Sequence, residues 1–376
     1  MQVAILGCGQ LARMLALAGI PLGLRFSFLA QAAEDSSAVD GLGTVFRLAG
    51  GESYEQIYMG LERPQVVTVE REQFPISVVR GLAEYCLVHP NPEAIYRCQH
   101  RLRQKRLLQE LNVPHTPFKV IHSAEALTEA ASEFGWPLVI KNTEDGYDGK
   151  AQWRLQAEGD IEQWIKQVKP FDDADERWIA EPMMAFDAEI SFIAARNRSG
   201  ALHVYPPTEN QHINGVLVHS LAPARQASQV VINEAAEVMK RLMNHLDYAG
   251  VMAMECFVSG EQWWVNELAP RVHNSGHWTE EGASTSQFEN HLRGIAGWSL
   301  GNPNMMGAVG MLNLLGVPLD QPLLLNEEAS LNWYNKSVRP GRKVGHMVLR
   351  DITPQGAWKR LTQLHDRIYG DALMGR

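Results

Sequence analysis

Residues 251–277, VMAMECFVSGEQWWVNELAPRVHNSGH, place two carboxylates, Glu255 and Glu267, on what reads as one β-hairpin. Met252 to Val258 and Trp263 to Leu268 are apolar, aromatic and β-branched, and Ser259-Gly260-Glu261-Gln262 between them has turn chemistry. A loop with an odd number of residues, such as Gly260 to Gln262, sets the two glutamates directly opposite, with Cβ atoms about 5 Å apart. Such a pair suits a hard cation such as Mg2+, which prefers oxygen ligands. Asn266 points to the other face but lies at the strand end, where a twist of the backbone presents its amide oxygen. Acids on a hairpin are commonly just solvated; the residues that follow argue otherwise. Arg271-Val272-His273-Asn274-Ser275-Gly276-His277 packs a guanidinium, two imidazoles, an amide and a hydroxyl into one short loop beside the carboxylates, which points to a binding site.

Three further segments carry chemistry. The loop Gly146-Tyr147-Asp148-Gly149-Lys150 follows a strand ending in Lys141, so backbone amides and two ammonium groups can converge on polyphosphate, as a nucleotide lid requires. It is not a P-loop, because GxxxxGK[ST] is absent. Gly7-Cys8-Gly9 satisfies only two glycines of a dinucleotide fingerprint, since Ala12 stands where GxGxxG needs the third. A nicotinamide site is disfavoured, although a helix N-terminus there can still bind a phosphate or carboxylate. Residues 336–346, KSVRPGRKVGH, gather Lys336, Arg339, Arg342, Lys343 and His346 within an acidic chain, which suits an anionic small substrate such as a phosphorylated sugar. His212, in TENQH, decides nothing taken alone.

The elements that must position these groups read as α/β. Val3 to Leu6 runs through the glycines into a helix, Leu11 to Ala18, opening a βαβ unit. Strands at Phe26 to Ala30, Val45 to Leu48 and Val66 to Val69, with helices at Tyr54 to Leu61 and Ile76 to Tyr85, predict a small parallel sheet bounded at His89 to Pro92. A basic helix, Gln99 to Leu111, and one at Ala124 to Phe134 begin a second unit, with strands at Leu138 to Lys141, Trp178 to Glu181 and Glu189 to Arg196. A long helix, Gln226 to Leu246, precedes the hairpin, and another spans Gln287 to Ala296. Gly301 to Pro303 reads as a linker to a β-rich tail closed by a helix capped by Thr353 and Pro354.

At 376 residues and 45% hydrophobic content the chain has room for two or three domains with cores. A net charge of −9 argues against nucleic-acid or anionic-membrane surfaces. Cys8, Cys86, Cys98 and Cys256 form no CxxC pair or disulfide framework, so a reduced cytoplasmic setting without structural zinc is expected. The N-terminus lacks a basic region and its longest uncharged run, Met14 to Leu24, is too short for a bilayer, so neither signal peptide nor membrane segment is expected.

Taken together, GCGQLARM, GYDGKAQ, MECF, NELAPRVHNSGHWT and RPGRKVGH, in collinear order from about residue 1 to about residue 350, resemble the N5-carboxyaminoimidazole ribonucleotide synthetases of the ATP-grasp superfamily. The fourth and fifth motifs are highly specific; the glycine segments are weaker. The resemblance implies an α/β fold, α+β in its ATP-grasp part: an N-terminal Rossmann-like domain (1–98), a central ATP-grasp domain of two subdomains (99–297) and a small β-rich C-terminal domain (298–376). It implies that 5-aminoimidazole ribonucleotide, bicarbonate and MgATP give N5-carboxyaminoimidazole ribonucleotide, ADP and phosphate through carboxyphosphate, in purine biosynthesis.

Carried over by motif position, Glu255 and Glu267 would hold Mg2+, one ion or two, with Asn266 adjacent, and Arg101, Lys105 and Lys141 would neutralise nucleotide phosphates. Gly146, Tyr147, Asp148, Gly149, Lys150, Ala151 and Gln152 would close over them. Glu181, Pro182, Met183 and Met184 fall where the family binds adenine, Glu189 where it binds ribose hydroxyls, and His212 is a further nucleotide contact. Arg271 would orient bicarbonate and carboxyphosphate, with His273, Asn274 and Ser275 lining the same pocket, while Tyr147 and Asp148 approach the imidazole amine. Lys336, Arg339, Arg342 and Lys343 would grip the ribonucleotide phosphate, helped by backbone amides at Gly9, Gln10 and Leu11. Three positions depart from the family's glycines: Asp145, Ala151 and Ala12, of which the first two are expected to alter lid kinetics. The family also suggests a homodimer and a functional link to the mutase that takes up the product. The rival readings are another ATP-grasp ligase, such as a formate-dependent glycinamide ribonucleotide transformylase or a carboxylase acting on biotin, and a non-catalytic nucleotide-binding regulator.

Overall fold

The computed structural model describes residues 1–144, 152–168, 176–319, 324 and 328–370. The chain opens with β1 (Gln2–Leu6), α1 (Gln10–Gly19), β2 (Arg25–Ala30), β3 (Thr44–Arg47), α2 (Tyr54–Gly60), β4 (Val66–Val69), α3 (Ile76–Leu82), β5 (Leu87–Val88) and α4 (Pro92–Cys98). The five strands form a parallel sheet in the order β3-β2-β1-β4-β5. β1 and β4 are buried throughout, as strands covered on both faces must be, which explains their unbroken apolar runs. Chain order reverses between β1 and β4, so their C-terminal ends flank the crevice where such sheets usually bind ligands. The boundary expected at His89 to Pro92 instead precedes one more helix, α4, whose N-cap Asn91 accepts from the Ala94 amide at 2.9 Å.

The second unit comprises α5 (Arg101–Glu110), β6 (Lys119–Val120), α6 (Ala124–Phe134), β7 (Leu138–Asn142), β8 (Gln152–Leu155), α7 (Asp160–Gln167) and β9 (Trp178–Pro182). Its strands form an antiparallel sheet, β6-β9-β7-β8, over a core that includes Trp164 and Trp178. There follow β10 (Ala188–Arg196), β11 (Leu202–Val204), β12 (Thr208–Ile213), β13 (Val216–Ala222), α8 (Gln229–His245), β14 (Gly250–Ser259), β15 (Gln262–Ala269), α9 (Thr279–Gly282) and α10 (Gln287–Ala296). The chain ends with β16 (Ala308–Leu315), β17 (Ser330–Trp333), β18 (Lys343–Asp351) and α11 (Pro354–Tyr369).

The large sheet runs β15-β14-β10-β12-β13-β16-β18-β17, with β11 paired beside β10. The strands of the C-terminal segment therefore continue the central sheet, because β16 satisfies the backbone edge that β13 would otherwise expose. α11 begins as its sequence predicts: Thr353 Oγ1 accepts from the Gly356 amide at 3.0 Å and Pro354 occupies the first turn. One core joins α1, α10, β14 and β16, so the N-terminal sheet is packed directly on the central one. His291 of α10 spans this junction, contacting Thr68 Oγ1 at 2.8 Å and accepting from the Val251 amide at 3.0 Å. Among the described residues no helix is long and apolar enough to cross a membrane.

Candidate active site

Glu255 and Glu267 are paired directly across β14 and β15, as expected, but the reason differs from an odd-numbered turn. Ser259 pairs with Gln262 across a two-residue turn, Gly260-Glu261, in which Gly260 takes φ +60. From that register an unbroken ladder would set Glu255 opposite Asn266. A bulge at Glu255/Cys256 inserts one residue on the β15 side, brings Glu267 into place and makes Asn266 the extra residue. The bulge also re-aims Asn266, whose Oδ1 accepts from Lys141 Nζ at 3.1 Å. Burial, and then the facing Glu267 carboxylate, push the Glu255 carboxyl up to about 7.

Helix α5 presents Arg101, Gln104 and Lys105 along one face, at the i, i+3, i+4 spacing of helical neighbours. Arg101 Nη1 donates to Glu267 Oε2 at 3.0 Å. Gln104 takes both backbone groups of Leu268, accepting from its amide at 2.9 Å and donating to its carbonyl at 3.0 Å. Lys105 Nζ lies 2.9 Å from Glu181 Oε1 and donates to Thr116 Oγ1. Lys141, from β7, donates to Glu181 Oε2 at 2.6 Å. Glu181 is thus shared by two ammonium groups; against its burial, they hold its carboxyl down to about 2. Burial pulls Lys105 down to about 8, with Glu181 opposing. The Glu181 carboxylate balances both lysines, whereas the resemblance implies a place for it at adenine.

A cleft of about 710 Å³ opens between the two sheets of the central region. Its lining includes Arg101, Lys141, Gln152, Glu181, Pro182, Met183, Met184, Glu189, His212, Glu255, Asn266, Glu267, His273, Asn274 and Lys343, so it unites residues from four separate sequence motifs. Lys105 and Ser275 are buried behind it. His212 Nδ1 contacts Glu189 Oε2 at 2.6 Å; despite its burial, this partner raises the His212 pKa. Phe186 stacks on Phe257 with ring centroids 4.5 Å apart, an aromatic wall suited to a flat heterocycle. Residues 146–151, the expected lid, lie outside the described residues; Gln152 opens β8 and pairs with Lys141.

At the end of the hairpin, Arg271 makes a bidentate pair with Glu72 from the loop after β4, through Nε to Oε2 and Nη2 to Oε1, the second at 3.2 Å. Although burial opposes it, this pair lowers the Glu72 pKa. His273 accepts the Ser275 amide at Nδ1 over 3.3 Å, which leaves the ring proton on Nε2, 3.7 Å from Glu255 Oε1. Asn274 is buried, and its Nδ2 and Oδ1 have no hydrogen-bond partner among the described residues. A buried amide without partners is costly unless a ligand completes it.

The basic segment lies across the N-terminal crevice. Lys336 Nζ donates to Gln10 Oε1, and burial lowers the Lys336 pKa to about 8 while Glu70 opposes. Arg342 Nη2 pairs with Asp35 at 3.0 Å, Lys343 reaches the cleft lining, and Arg339 is exposed in the turn before Gly341. The Gly9 amide is not open to a phosphate: it donates to Glu70 Oε1 at 2.6 Å, and the Ala12 amide donates to Glu70 Oε2 at 3.0 Å. Glu70 itself occupies the anion site at the α1 N-terminus. The glycine pair makes room for it, since a Cβ on Gly7 would lie 2.4 Å from Glu70 Cγ and one on Gly9 2.8 Å from Oε1. Leu11 is buried in the first turn of α1.

Glu70, Glu72, Gln104 and Trp358 lie outside every sequence motif of the site, although Trp358 of α11 lines the cleft. Two acids at the C-terminal end of a strand beside β1 were the available signal for Glu70 and Glu72. Gln104 and Trp358 carry none, because their roles rest on long-range packing.

A cleft between two sheets, with paired acids on a hairpin of one sheet and Lys141 on the other, is the architecture of an ATP-grasp ligase. The ATP-grasp domain model matches residues 106–288, the ribonucleotide synthetase preATP-grasp domain residues 1–99, and the phosphoribosylaminoimidazole carboxylase C-terminal domain residues 309–355. The chain is 39% identical over 350 residues to the N5-carboxyaminoimidazole ribonucleotide synthase of Vibrio cholerae, covering 92% of this chain and 90% of the relative. The crystal structure of the synthetase from Thermus thermophilus superposes with TM-score 0.87 at 39% identity, covering 97% and 98% of the two chains. That from Aspergillus clavatus, in complex with ADP and 5-aminoimidazole ribonucleotide, gives 0.86 at 25% identity, covering 98% of each. The chain belongs to the N5-carboxyaminoimidazole ribonucleotide synthases, ATP-dependent ligases of purine biosynthesis.

Proposed function

We propose that the chain carries out its family's reaction, the ATP-dependent carboxylation of 5-aminoimidazole ribonucleotide by bicarbonate, with the donor anion at Arg271 and Asn274 and the acceptor anchored by Lys336 to Lys343. The observation that carries the reading is the convergence in one cleft of Glu255, Glu267, Lys141, Asn274 and Lys343. ATP is taken as the nucleotide bound between the sheets. The donor set fits Mg2+: the carboxylates of Glu255 and Glu267 and the Asn266 oxygen are the oxygen donors this ion prefers, and they would hold it. When bound, Mg2+ would neutralise charge on the nucleotide's terminal phosphates.

Hydroxide is a poor leaving group from bicarbonate, so one bicarbonate oxygen must first be phosphorylated, which makes phosphate the leaving group. A bicarbonate oxygen attacks the γ-phosphorus, the bond from that phosphorus to the bridging oxygen breaks, and ADP leaves with carboxyphosphate formed. The imidazole amine then attacks the carboxyl carbon, the carbon–oxygen bond to phosphate breaks, and Asp148 is assigned the proton from its place in the sequence. Both steps need positioning and charge neutralisation more than covalent help from the protein. Lys105 and Lys141 serve the first once polyphosphate competes with Glu181 for them. Exclusion of water protects carboxyphosphate, a task that falls to residues 146–152.

ADP release should require 5-aminoimidazole ribonucleotide, bicarbonate and Mg2+ together. Turnover with only glycinamide ribonucleotide and formate would sink the reading in favour of a transformylase. We assign the same three parts as functional units, 1–98, 99–297 and 298–376, and a homodimer whose mass light scattering measures.

A further inference from the structure

Glu72 lies outside every motif that marks the reaction, yet it holds the guanidinium on which donor binding is taken to depend. Arginine has five N–H donors in a rigid plane. Glu72 takes those on Nε and one on Nη2, along one side of the plane, and the Val272 carbonyl takes one on Nη1 at 3.2 Å. Two donors remain, one on Nη1 and one on Nη2. That remaining fork matches two oxygens of a planar or tetrahedral oxyanion. The arginine side chain keeps 14% of its surface exposed and Glu72 keeps 12%, so the pair is held in a largely desolvated place where orientation is stiff. Glu267 and Glu70 lie within electrostatic reach of the same guanidinium, on the metal-hairpin and acceptor sides respectively.

We propose that Glu72 is a positioning residue for the carboxyl donor: by occupying the side of the Arg271 guanidinium it aims the remaining fork at bicarbonate. The inference rests on the reading of Arg271 as the donor anchor. It also gives the N-terminal domain a part in the donor half-reaction. The turn after β4 that brings Glu70 to the acceptor crevice brings Glu72 to Arg271, so one short segment sets the anchors for both substrates. A paired, neutralised guanidinium attracts an anion through directed donors rather than net charge, which favours a shape-matched oxyanion over any passing one.

Glu72→Gln keeps the length of the arm but removes its charge and one of its two acceptors. The expected result is a KM for bicarbonate raised roughly tenfold while the KM values for ATP and for the ribonucleotide stay within about twofold, a split that general loosening of the fold would not produce. Should that variant fail to fold, Glu72→Asp, which keeps the charge on a shorter arm, reads the same ratio, with a rise of about threefold expected for bicarbonate alone. Arg271→Lys, retaining charge without the fork, is measured beside them. If it raises the bicarbonate KM and neither Glu72 variant does, the inference is overturned and the donor assignment stands. If it leaves the bicarbonate KM unchanged, the donor assignment fails and the inference with it.

Discussion

Glu267 concentrates the chemistry of the site in one carboxylate: it faces Glu255 across the hairpin, accepts from Arg101 at 3.0 Å and lines the cleft. Glu267→Gln preserves the shape and one hydrogen bond to Arg101 but removes the anionic oxygen proposed to hold Mg2+. Loss of a supporting partner around a metal commonly costs roughly 10–100-fold, so loss of a ligand should cut Mg-dependent ADP release by more than about 100-fold, with the thermal midpoint little changed. Near-normal turnover in that variant would remove the metal assignment. The residue types were legible in sequence because paired acids, a guanidinium and clustered lysines announce anion and cation chemistry without reference to fold. Their pairings were not. Glu181 stands in a motif assigned to adenine but bridges Lys105 and Lys141, and Arg271 finds its counter-charge 199 residues away at Glu72.

At the scale of elements, the hairpin and α5 form one device. β15 is the edge of the large sheet, and its outer backbone groups are satisfied by chain from the start of the second unit: the Val265 amide donates to the Pro114 carbonyl at 2.9 Å, and Gln104 brackets Leu268. This support holds the bulged register at Asn266 and Glu267 in place. Gln104→Ala leaves a buried N–H and C=O without partners, which should lower unfolding stability by roughly 2 kcal/mol or more, read from the urea midpoint. A shift worth less than about 0.5 kcal/mol, within the range of an ordinary surface change, would show that the bracket carries no weight. The hairpin itself was readable from alternating apolar residues and a glycine turn. Its bulge was not, since one inserted residue leaves the composition of both strands unchanged and is decided by what the outer edge meets.

For the whole molecule, burial of histidine predicts the response to acid. Burial pulls His219, His291 and His346 down to about 3 and His100 to about 4, and the Nδ1 of His291 is occupied as an acceptor at the junction between the sheets. Unfolded, each takes up a proton near its ordinary value of about 6.5, so stability is intact above that value and is lost as pH falls toward the folded values. Glu255 and Glu280 oppose this, because carboxyls raised to about 7 and about 8 bind protons in the folded state first. Four strongly depressed imidazoles outweigh two raised carboxyls, so the urea midpoint should fall steadily from pH 7 to pH 5. A midpoint that holds or rises over that range would contradict it. The C-terminal segment shows the same dependence on the whole: its strands complete the central sheet and its helix, without a motif of its own, supplies Trp358 to the cleft.

The amino-acid sequence determined the family, the parallel N-terminal sheet, the hairpin with its paired glutamates, the polar loop after it and the basic segment, because each is a local pattern of side-chain type, periodicity or turn chemistry. Tertiary structure decided which of these groups meet. It set Glu70 into the α1 anion site that the glycines prepare, paired Glu72 with Arg271, balanced Glu181 against two lysines and reached the Glu255–Glu267 pairing through a bulge. Those outcomes depend on contacts between residues tens to hundreds of positions apart, where burial strips away water and every charge and amide must find a partner that no local spacing names.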